Sequence, residues 1–505
     1  MSIIDRLNRF ILVPILFEWL DLSDFIGFDS ALCSHGHRDV LLQLVRSNSC
    51  VFQSKLIDLS CAIPLRVDSL KWLSSRNVAV SCFDKFRICV SWRWDKFAEW
   101  KEKIKFTVSR LIVERSGVKL DNYFRASLCL FSNIVELQCD DDSVTRKLLM
   151  HCVNLRSCRL TLRKQKEQLV TLLLRTNANL TSLQVNACVA ADSSPNKFSK
   201  WFLPSLVVHG SNITSTSFNQ CGSIKQRHLQ IVALHHRRQF LDFSCGGFND
   251  VSLRAFLWYR GSSLVSLDLS LCMALTDCVV EELVGSCLHL EDLNVAYCLR
   301  LTDVSVDRIT QLSKLRVLSL QGLQNLTNSS LHYLGSLRGR LKSLSLGRQV
   351  KFTSEGVQVS SEALVSCSSL VFEELPDVLP HLPSIMMSLS SLTSLDLTHN
   401  RTLTDELLSA VLMALDCRKL LVLKLGGCEL LRDTSLLVLA ERCWYLEVLS
   451  VYSCCYFSAN ALLQLVTSCR QLRKLDLTYT HVSQSTLAAL HDINCRLRIE
   501  TLRVY

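Results

Sequence analysis

The chain has 505 residues, 49% hydrophobic and 20% charged, with Gly 16 and Pro 7. This excludes a disordered chain, collagen-like segments and Gly- or Pro-rich arms. At about 150 residues per domain the length allows about three domains, a count that internal repeats overturn. The net charge of +10 is spread over clusters such as Lys101 to Lys105, Arg159 to Lys166 and Arg237-Arg238. Solvated outer faces explain that scatter better than a nucleic-acid partner, which needs one basic stripe with interleaved aromatics.

The mean hydropathy of +0.23 raises the question of a membrane span. The apolar stretch Phe10 to Phe17 is too short to cross a bilayer and is closed by Glu18, Asp21 and Asp24. Arg6 and Arg9 precede it, but no small-residue cleavage site comes after it. Neither a membrane partner nor a signal peptide is expected, and the expected location is cytoplasmic or nuclear. The cysteine content, Cys 24, includes no C-x-x-C pair, which removes the main support for zinc-ribbon, RING-type and thioredoxin-type readings.

Residues 1–50 differ in pattern from the rest of the chain. Val13-Pro14-Ile-Leu16-Phe17-Glu-Trp19-Leu20-Asp21-Leu22 and the stretch on to Cys33 read as a short amphipathic helix, a Leu-Asp-Leu turn and a second helix. This pattern resembles a degenerate F-box, a helical module that docks on the small adaptor of a cullin-type ubiquitin ligase. The resemblance implies adaptor binding by Pro14, Leu16, Phe17, Trp19, Leu20 and Leu22. The chain departs from the family in a first helix more than a turn shorter, and in Ser34-His-Gly-His-Arg38 where a tryptophan is expected. The other reading is a helical cap over the first repeat.

Residues 51–130 carry Trp72, Trp92, Trp94 and Trp100 and read as a linking platform or diverged early repeats. From residue 131 a beat sets in, first at Ile134/Leu137/Cys139, Leu155/Cys158/Leu160, Leu180/Leu183/Val185, Leu203/Leu206/Val208 and Leu241/Phe243. It then sharpens into L-x-x-L-x-L at Leu264, Leu290, Leu315, Leu341, Leu392, Leu420, Leu446, Leu472 and Ile499, spaced 25 to 28 residues apart except for one double step. Two further markers keep phase: Leu-Thr-Asp or a close variant at 275–277, 301–303, 326–328, 403–405 and 431–433, and a cysteine at 287, 367, 417, 443 and 469.

Three phased markers resemble the cysteine-containing leucine-rich repeats of F-box/leucine-rich-repeat proteins. Alternation at pairs such as Leu267 and Leu269 puts both side chains on one strand face, and the Thr-Asp pair offers oxygens to a helix start. One strand and one helix per repeat cannot bury their apolar faces alone, so the expected fold is an α/β solenoid over 131–505 with strands on the concave face and helices on the convex face. Cysteines in the frame, such as Cys272, Cys298, Cys428 and Cys454, are expected buried and reduced. Adjacent Cys454-Cys455 leaves a redox reading open. The stretch 359–389, with three of the seven prolines, is expected to be a loop or an irregular repeat, and so a candidate for binding.

No catalytic signature occurs, and His235-His236 has no carboxylate or cysteine at ligand spacing, so no enzyme activity, cofactor or metal is expected. Function then falls to the concave positions between inward leucines: Asp268, Asn294, Ser319, Ser345, Asp396, Lys424, Ser450 and Asp476, with Tyr452 and Tyr505 as larger neighbours. This small, slightly acidic column suits a protein and repels a phosphate backbone. The expectation is a substrate receptor of a cullin-type ubiquitin ligase, with the adaptor at the N-terminal module and a protein substrate on the concave face. The alternative is a repeat scaffold or inhibitor with no ubiquitin link.

Overall fold

The computed structural model describes residues 131–140, 142–162, 167–187, 212–217, 240–244, 249–349, 351–353, 356, 364–494 and 497–501, and the strand segments 57–58, 82–88 and 107–113. The F-box-like residues 13–33, the tryptophans at 72, 92, 94 and 100, His235-His236, Leu502, Val504 and Tyr505 lie outside them. The described residues fall into two compact units, one up to residue 217 and one from residue 240.

The first unit contains strands β1 (Ile57–Asp58), β2 (Cys82–Ile88), β3 (Thr107–Val113), β4 (Glu136–Cys139), β5 (Ser157–Leu162), β6 (Ser182–Ala187) and β7 (Ser215–Ser217). Each pairs in parallel with the next. Helices α1 (Asp142–Leu149) and α2 (Glu167–Thr176) follow β4 and β5. Leu137, Cys158 and Leu183 stack as register partners and are buried, as the alternation predicts. The strand beside β6 is at 215–217, however, with Thr216 opposite Leu183. The expected repeat at Leu203/Leu206/Val208 lies outside the described residues. Thr216, itself buried, is β-branched and fills the leucine position without an apolar signature in the sequence.

The second unit runs β8 (Phe240–Asp242), α3 (Asp250–Arg260), β9 (Ser266–Asp268), α4 (Asp277–Ser286), β10 (Asp292–Asn294), α5 (Asp303–Ile309), β11 (Val317–Ser319), α6 (Asn328–Gly335) and β12 (Ser343–Gly347). It continues with β13 (Ser369–Glu373), α7 (Leu382–Met386), β14 (Ser394–Asp396), α8 (Asp405–Ala414), β15 (Val422–Lys424), α9 (Asp433–Arg442), β16 (Val448–Ser450), α10 (Ala459–Ser468), β17 (Lys474–Asp476), α11 (Gln484–Ile493) and β18 (Arg498–Glu500). Every strand pairs in parallel with the next. Leu267, Leu293, Leu318, Leu344, Leu370, Leu395, Leu423, Leu449 and Leu475 are successive register partners and all are buried. One leucine stripe thus joins neighbouring repeats: the protein is a leucine-rich-repeat solenoid, with short strands as one face and a helix between most of them.

The irregular stretch is more regular than its prolines suggest. β13 lies in register with β12 and β14, supplying the repeat that the double step seemed to skip. Its frame is shifted by three residues, because Leu370 pairs with Leu344, so Cys367 occupies the place of the leading leucine rather than preceding it. The prolines fall after the strand. Pro380 and Pro383 open a 3₁₀ turn (Leu379–His381) and the five-residue α7, where a missing N–H costs nothing. The last repeat shows the same slip, with Ile499 rather than Leu502 opposite Leu475.

Each threonine of the Leu-Thr-Asp marker caps its own helix: Thr276, Thr302 and Thr327 accept from the backbone of Cys278, Val304 and Ser329. The acidic residue does something else. Asp250 accepts from the Thr276 N–H at 2.8 Å, Asp277 from Thr302 at 2.9 Å, Asp303 from Thr327 at 2.8 Å and Asp433 from the Ser458 N–H at 2.7 Å, each in the following repeat. Ser305 and Ser330 add hydroxyl donors to Asp277 and Asp303. A carboxylate placed at one helix N-terminus therefore also serves the next, and a chain of such bonds runs along the helix starts.

The frame cysteines form a matching ladder at the strand ends. Cys272, Cys298, Cys428 and Cys454 each donate a thiol hydrogen bond to a backbone carbonyl of the preceding repeat, at 3.1 to 3.4 Å. Gln349 and Asn400 do the same with their amides. Burial holds the Cys298 and Cys454 thiols up at about 12, and none of the four frame cysteines is in a disulfide. The Cys454-Cys455 pair is divided, with Cys454 buried and Cys455 exposed.

Candidate functional site on the concave face

The eight concave residues read from the sequence fall in one row. Asp268, Asn294, Ser319 and Ser345 are successive partners, Val371 fills the irregular repeat, and Asp396, Lys424, Ser450 and Asp476 continue to Glu500. Most are tied to the chain itself. The side chains of Asp268, Asn294, Asp396 and Asp476 each accept from the backbone N–H two residues on, at 2.8 to 3.0 Å, which turns the chain out of the strand. Neighbours in the row also pair: Asn294 with Asp268 at 2.8 Å, Lys424 with Asp396 at 3.0 Å and Ser450 with Asp476 at 2.9 Å. Burial raises the Asp268 carboxyl above the ordinary carboxylate range, and the charge of Asp242 adds to the effect.

A denser group lies beside this row, where each strand ends. Two residues past the second inward side chain, the backbone enters the left-handed region in repeat after repeat: Leu271, Tyr297, Gly322, Arg348, Glu374, His399, Gly427, Ser453 and Tyr479 all have positive φ. The N–H groups from Leu271 to Ser453 in this series reach the next repeat, as in Tyr297 to Gln321 O at 2.7 Å and His399 to Gly426 O at 2.8 Å, so the ladder gains one more rung. Two glycines relieve the strain of that conformation, while bulky residues elsewhere stand out from the turn.

Tyr297 and Tyr452 use the space the glycines leave. A Cβ at Gly322 would lie 2.2 Å from the Tyr297 ring, and one at Gly426 would lie 2.0 Å from the Tyr452 ring, so each ring rests on bare backbone of a neighbouring repeat. Each tyrosine then reaches the repeat beyond. The Tyr452 hydroxyl is 2.9 Å from His399 Nε2 with the rings edge-to-face, and the Arg348 guanidinium sits 6.0 Å over the Tyr297 ring. Between them, Glu373 receives Arg348 at 2.9 Å and Gln321 at 3.1 Å, and Glu374 takes Arg348 at 3.2 Å. Burial, then the nearby Glu373 charge, raise both phenols above their ordinary value.

This group spans the repeats from β10 to β16 as one patch of phenol, guanidinium, carboxylate and imidazole. Sequence reasoning found Tyr452, Lys424 and Asp396 at its border and missed Tyr297, Gln321, Arg348, Glu373, Glu374 and His399. The available signal was the recurring position that holds glycine at 322 and 427. The adaptor-binding residues expected at 14–22 lie outside the described residues. Among the described residues, no group of three or more His, Cys, Asp and Glu is placed to hold a metal ion, and no helix is long and apolar enough to cross a membrane.

No protein-family model matches the chain. No curated protein matches it either. Among solved structures, an internalin from Listeria monocytogenes is 18% identical, covering 68% of this chain and 86% of its own, with a TM-score of 0.37. The yeast Rad7 and Elc1 complex gives 19% identity, 66% and 81% coverage and a TM-score of 0.36. The leucine-rich-repeat-containing protein LegL7 from Legionella pneumophila gives 15% identity, 61% and 97% coverage and a TM-score of 0.39. The solenoid itself is established by the strand register and the buried leucine stripe.

Proposed function

We propose that this chain is a protein-binding receptor that holds its partner on the concave face, through the patch from Tyr297 to Tyr452, and that residues 1–50 link that partner to the adaptor of a cullin-type ubiquitin ligase. The observation that carries the binding half is the patch: two tyrosines and an arginine, the residue types that dominate interface hot spots, held in place by Glu373, His399 and the glycine backbone. Side chains ordered before binding lose less entropy on binding. The ligase half is supported by the residue pattern Pro14, Leu16, Phe17, Trp19, Leu20 and Leu22. A scaffold or inhibitor would keep the patch and lack the adaptor.

Affinity purification of the tagged full chain separates the two halves. The adaptor should co-purify with the wild type and be lost from Trp19→Ala and Leu20→Ala at unchanged melting temperature. Proteins specific to the concave face should be lost from Tyr452→Ala and Arg348→Glu while the adaptor stays bound. Adaptor binding that survives both N-terminal substitutions ends the ligase reading, and a bound set indifferent to both patch substitutions ends the patch reading.

A further inference from the structure

Just before each strand of the second unit, the backbone makes one further rung to the preceding repeat. The Arg316 N–H donates to the Glu291 carbonyl at 2.8 Å and the Lys342 N–H to the Arg316 carbonyl at 2.7 Å. The same bond passes on through Ser368, Thr393, Leu421, Glu447 and Arg473 to Arg498, at 2.8 Å each. Two residues earlier in every repeat lies a second row, from His289 to Gln471. The residue between the rows, such as Leu315, Leu341, Leu420 or Leu446, is buried, so alternation turns both rows outward, and none of their residues is buried. Lys314 Nζ lies 2.9 Å from His289 Nδ1, so side chains of adjacent repeats meet along the second row.

Positive charge that is scattered in the sequence collects on this edge. The two rows hold Lys or Arg at seven places and Glu at two. Arg340 ties its guanidinium to the carbonyls of Thr310 at 3.1 Å and Leu312 at 3.3 Å, while Lys314, Arg316, Lys342, Lys419 and Arg473 are exposed. Glu291 and Glu447 stand 3.8 and 3.7 Å from Arg316 and Arg473, and Asp416 stands 3.8 Å from Lys419. These are loose surface pairs of little net strength. Between the basic ends, the rows carry only the hydroxyl residues Ser366, Ser368, Ser391 and Thr393. Aromatic rings complete the stripe. Tyr445 stands in the second row after Lys419 and is 51% exposed; Trp444 beside it is 57% exposed, with its indole N–H fixed on the Ala440 carbonyl at 3.1 Å.

We propose that this strand-start edge binds single-stranded nucleic acid, with phosphates along Lys314, Arg316, Lys342, Lys419 and Arg473 and unpaired bases stacked on Tyr445 and Trp444. Cations and hydroxyls can follow a sugar–phosphate backbone, and every base offers a face to an aromatic ring. From β11 to β17 the six strand steps of about 4.8 Å give roughly 29 Å, the length of about eight nucleotides at ~3.4 Å each. A duplex keeps its bases paired and away from the rings. An acidic peptide would answer the charge, but it would leave the rings without a stacking partner. The concave face repels the same phosphates through Asp292, Asp396 and Asp476, which confines the strand to the edge and leaves the Tyr297–Tyr452 patch to a protein.

Fluorescence anisotropy of labelled oligothymidylate and oligouridylate, about 16 nucleotides long, titrated with the full-length protein tests this. One or both should bind at low salt, more tightly than a duplex of the same length, and a preference between them assigns the sugar. Replacing Lys314 and Lys342 together by Gln should weaken binding about tenfold and flatten the salt dependence by about 0.7 per lost phosphate contact, at unchanged melting temperature. Tyr445→Ala should weaken binding about tenfold with the salt dependence unchanged. Arg401→Gln removes a charge as exposed, at the strand-end side of β14, and should leave binding as it is. The proposal is overturned by no binding at low salt, by a duplex binding as tightly, or by Arg401→Gln costing as much as the lysine pair. Displacement by polyglutamate together with indifference to Tyr445→Ala would also overturn it, and would make the edge a site for an acidic polypeptide.

Discussion

At the scale of single residues, the same side chain type does opposite work in two columns. Asp303 sits at a helix start: burial alone would raise its carboxyl, but the hydrogen bonds from Ser330 and Thr327 outweigh it, and its pKa is lowered. The native state therefore prefers the charged form, so the stabilisation is complete above the ordinary aspartate range near ~3.9 and is lost as pH falls through the lower native value. Asp303→Asn should cost ~1–3 kcal/mol at pH 7, toward the low end for a half-exposed group, with the gap closing in acid. Asp292 is the reverse case, raised by burial and by the charge of Asp268 against the hydrogen bond from Ser266. Its charged form is disfavoured in the fold, so Asp292→Asn should stabilise the protein at pH 7, and that advantage should vanish as pH falls through the raised value. Urea unfolding of both variants at pH 7 reads the two signs, and a series carried down to about pH 2 reads the closing of each gap; a shift of the same sign for both at pH 7 would contradict the opposed roles.

At the scale of elements, strands of three residues hold because each is clamped on both sides. Leu423 in β15 lies between Leu395 and Leu449 and is fully buried, so a cavity there faces packing atoms from three repeats. Leu423→Ala should cost ~2–5 kcal/mol, measured by chemical denaturation. The turn after the strand has its own requirement. Gly427 has φ +71, and a Cβ there would come within 2.5 Å of His399 Nδ1. Gly427→Ala should cost ~1–2 kcal/mol from the backbone alone and displace the His399 ring that Tyr452 holds, which an NMR shift of the His399 ring protons would report.

For each unit as a whole, repeats meet only their sequence neighbours, so stability is a sum of local terms and interfaces rather than one global core. Damage should therefore spread only a short way. Leu293→Ala in β10 should lower amide-exchange protection in β9, β10 and β11, while β16 and β17 keep theirs. Uniform loss of protection across the second unit would instead mean that it opens in a single cooperative step. The binding patch follows from the same construction: Tyr297, Glu373 and Tyr452 are far apart in sequence, and a near-constant repeat length brings them onto one face.

Local sequence was enough to specify the repeat unit. Leucine spacing, Thr-Asp starts and phased cysteines each answer to local physics, namely strand alternation, helix capping and the small volume left at a stacked turn. Whatever depends on the next repeat came from tertiary packing. In L-x-x-L-x-L two apolar positions are three residues apart, so the frame can slide by three without exposing a leucine, and only cross-strand pairing placed Cys367 and Ile499. The Thr-Asp signal marked where helices begin, yet its carboxylates bond to the following repeat. The concave row chosen by alternation was present, but its aspartates are engaged by the backbone. The patch beside it was built by left-handed turns and glycine clearances, which arise only when one turn is laid against another.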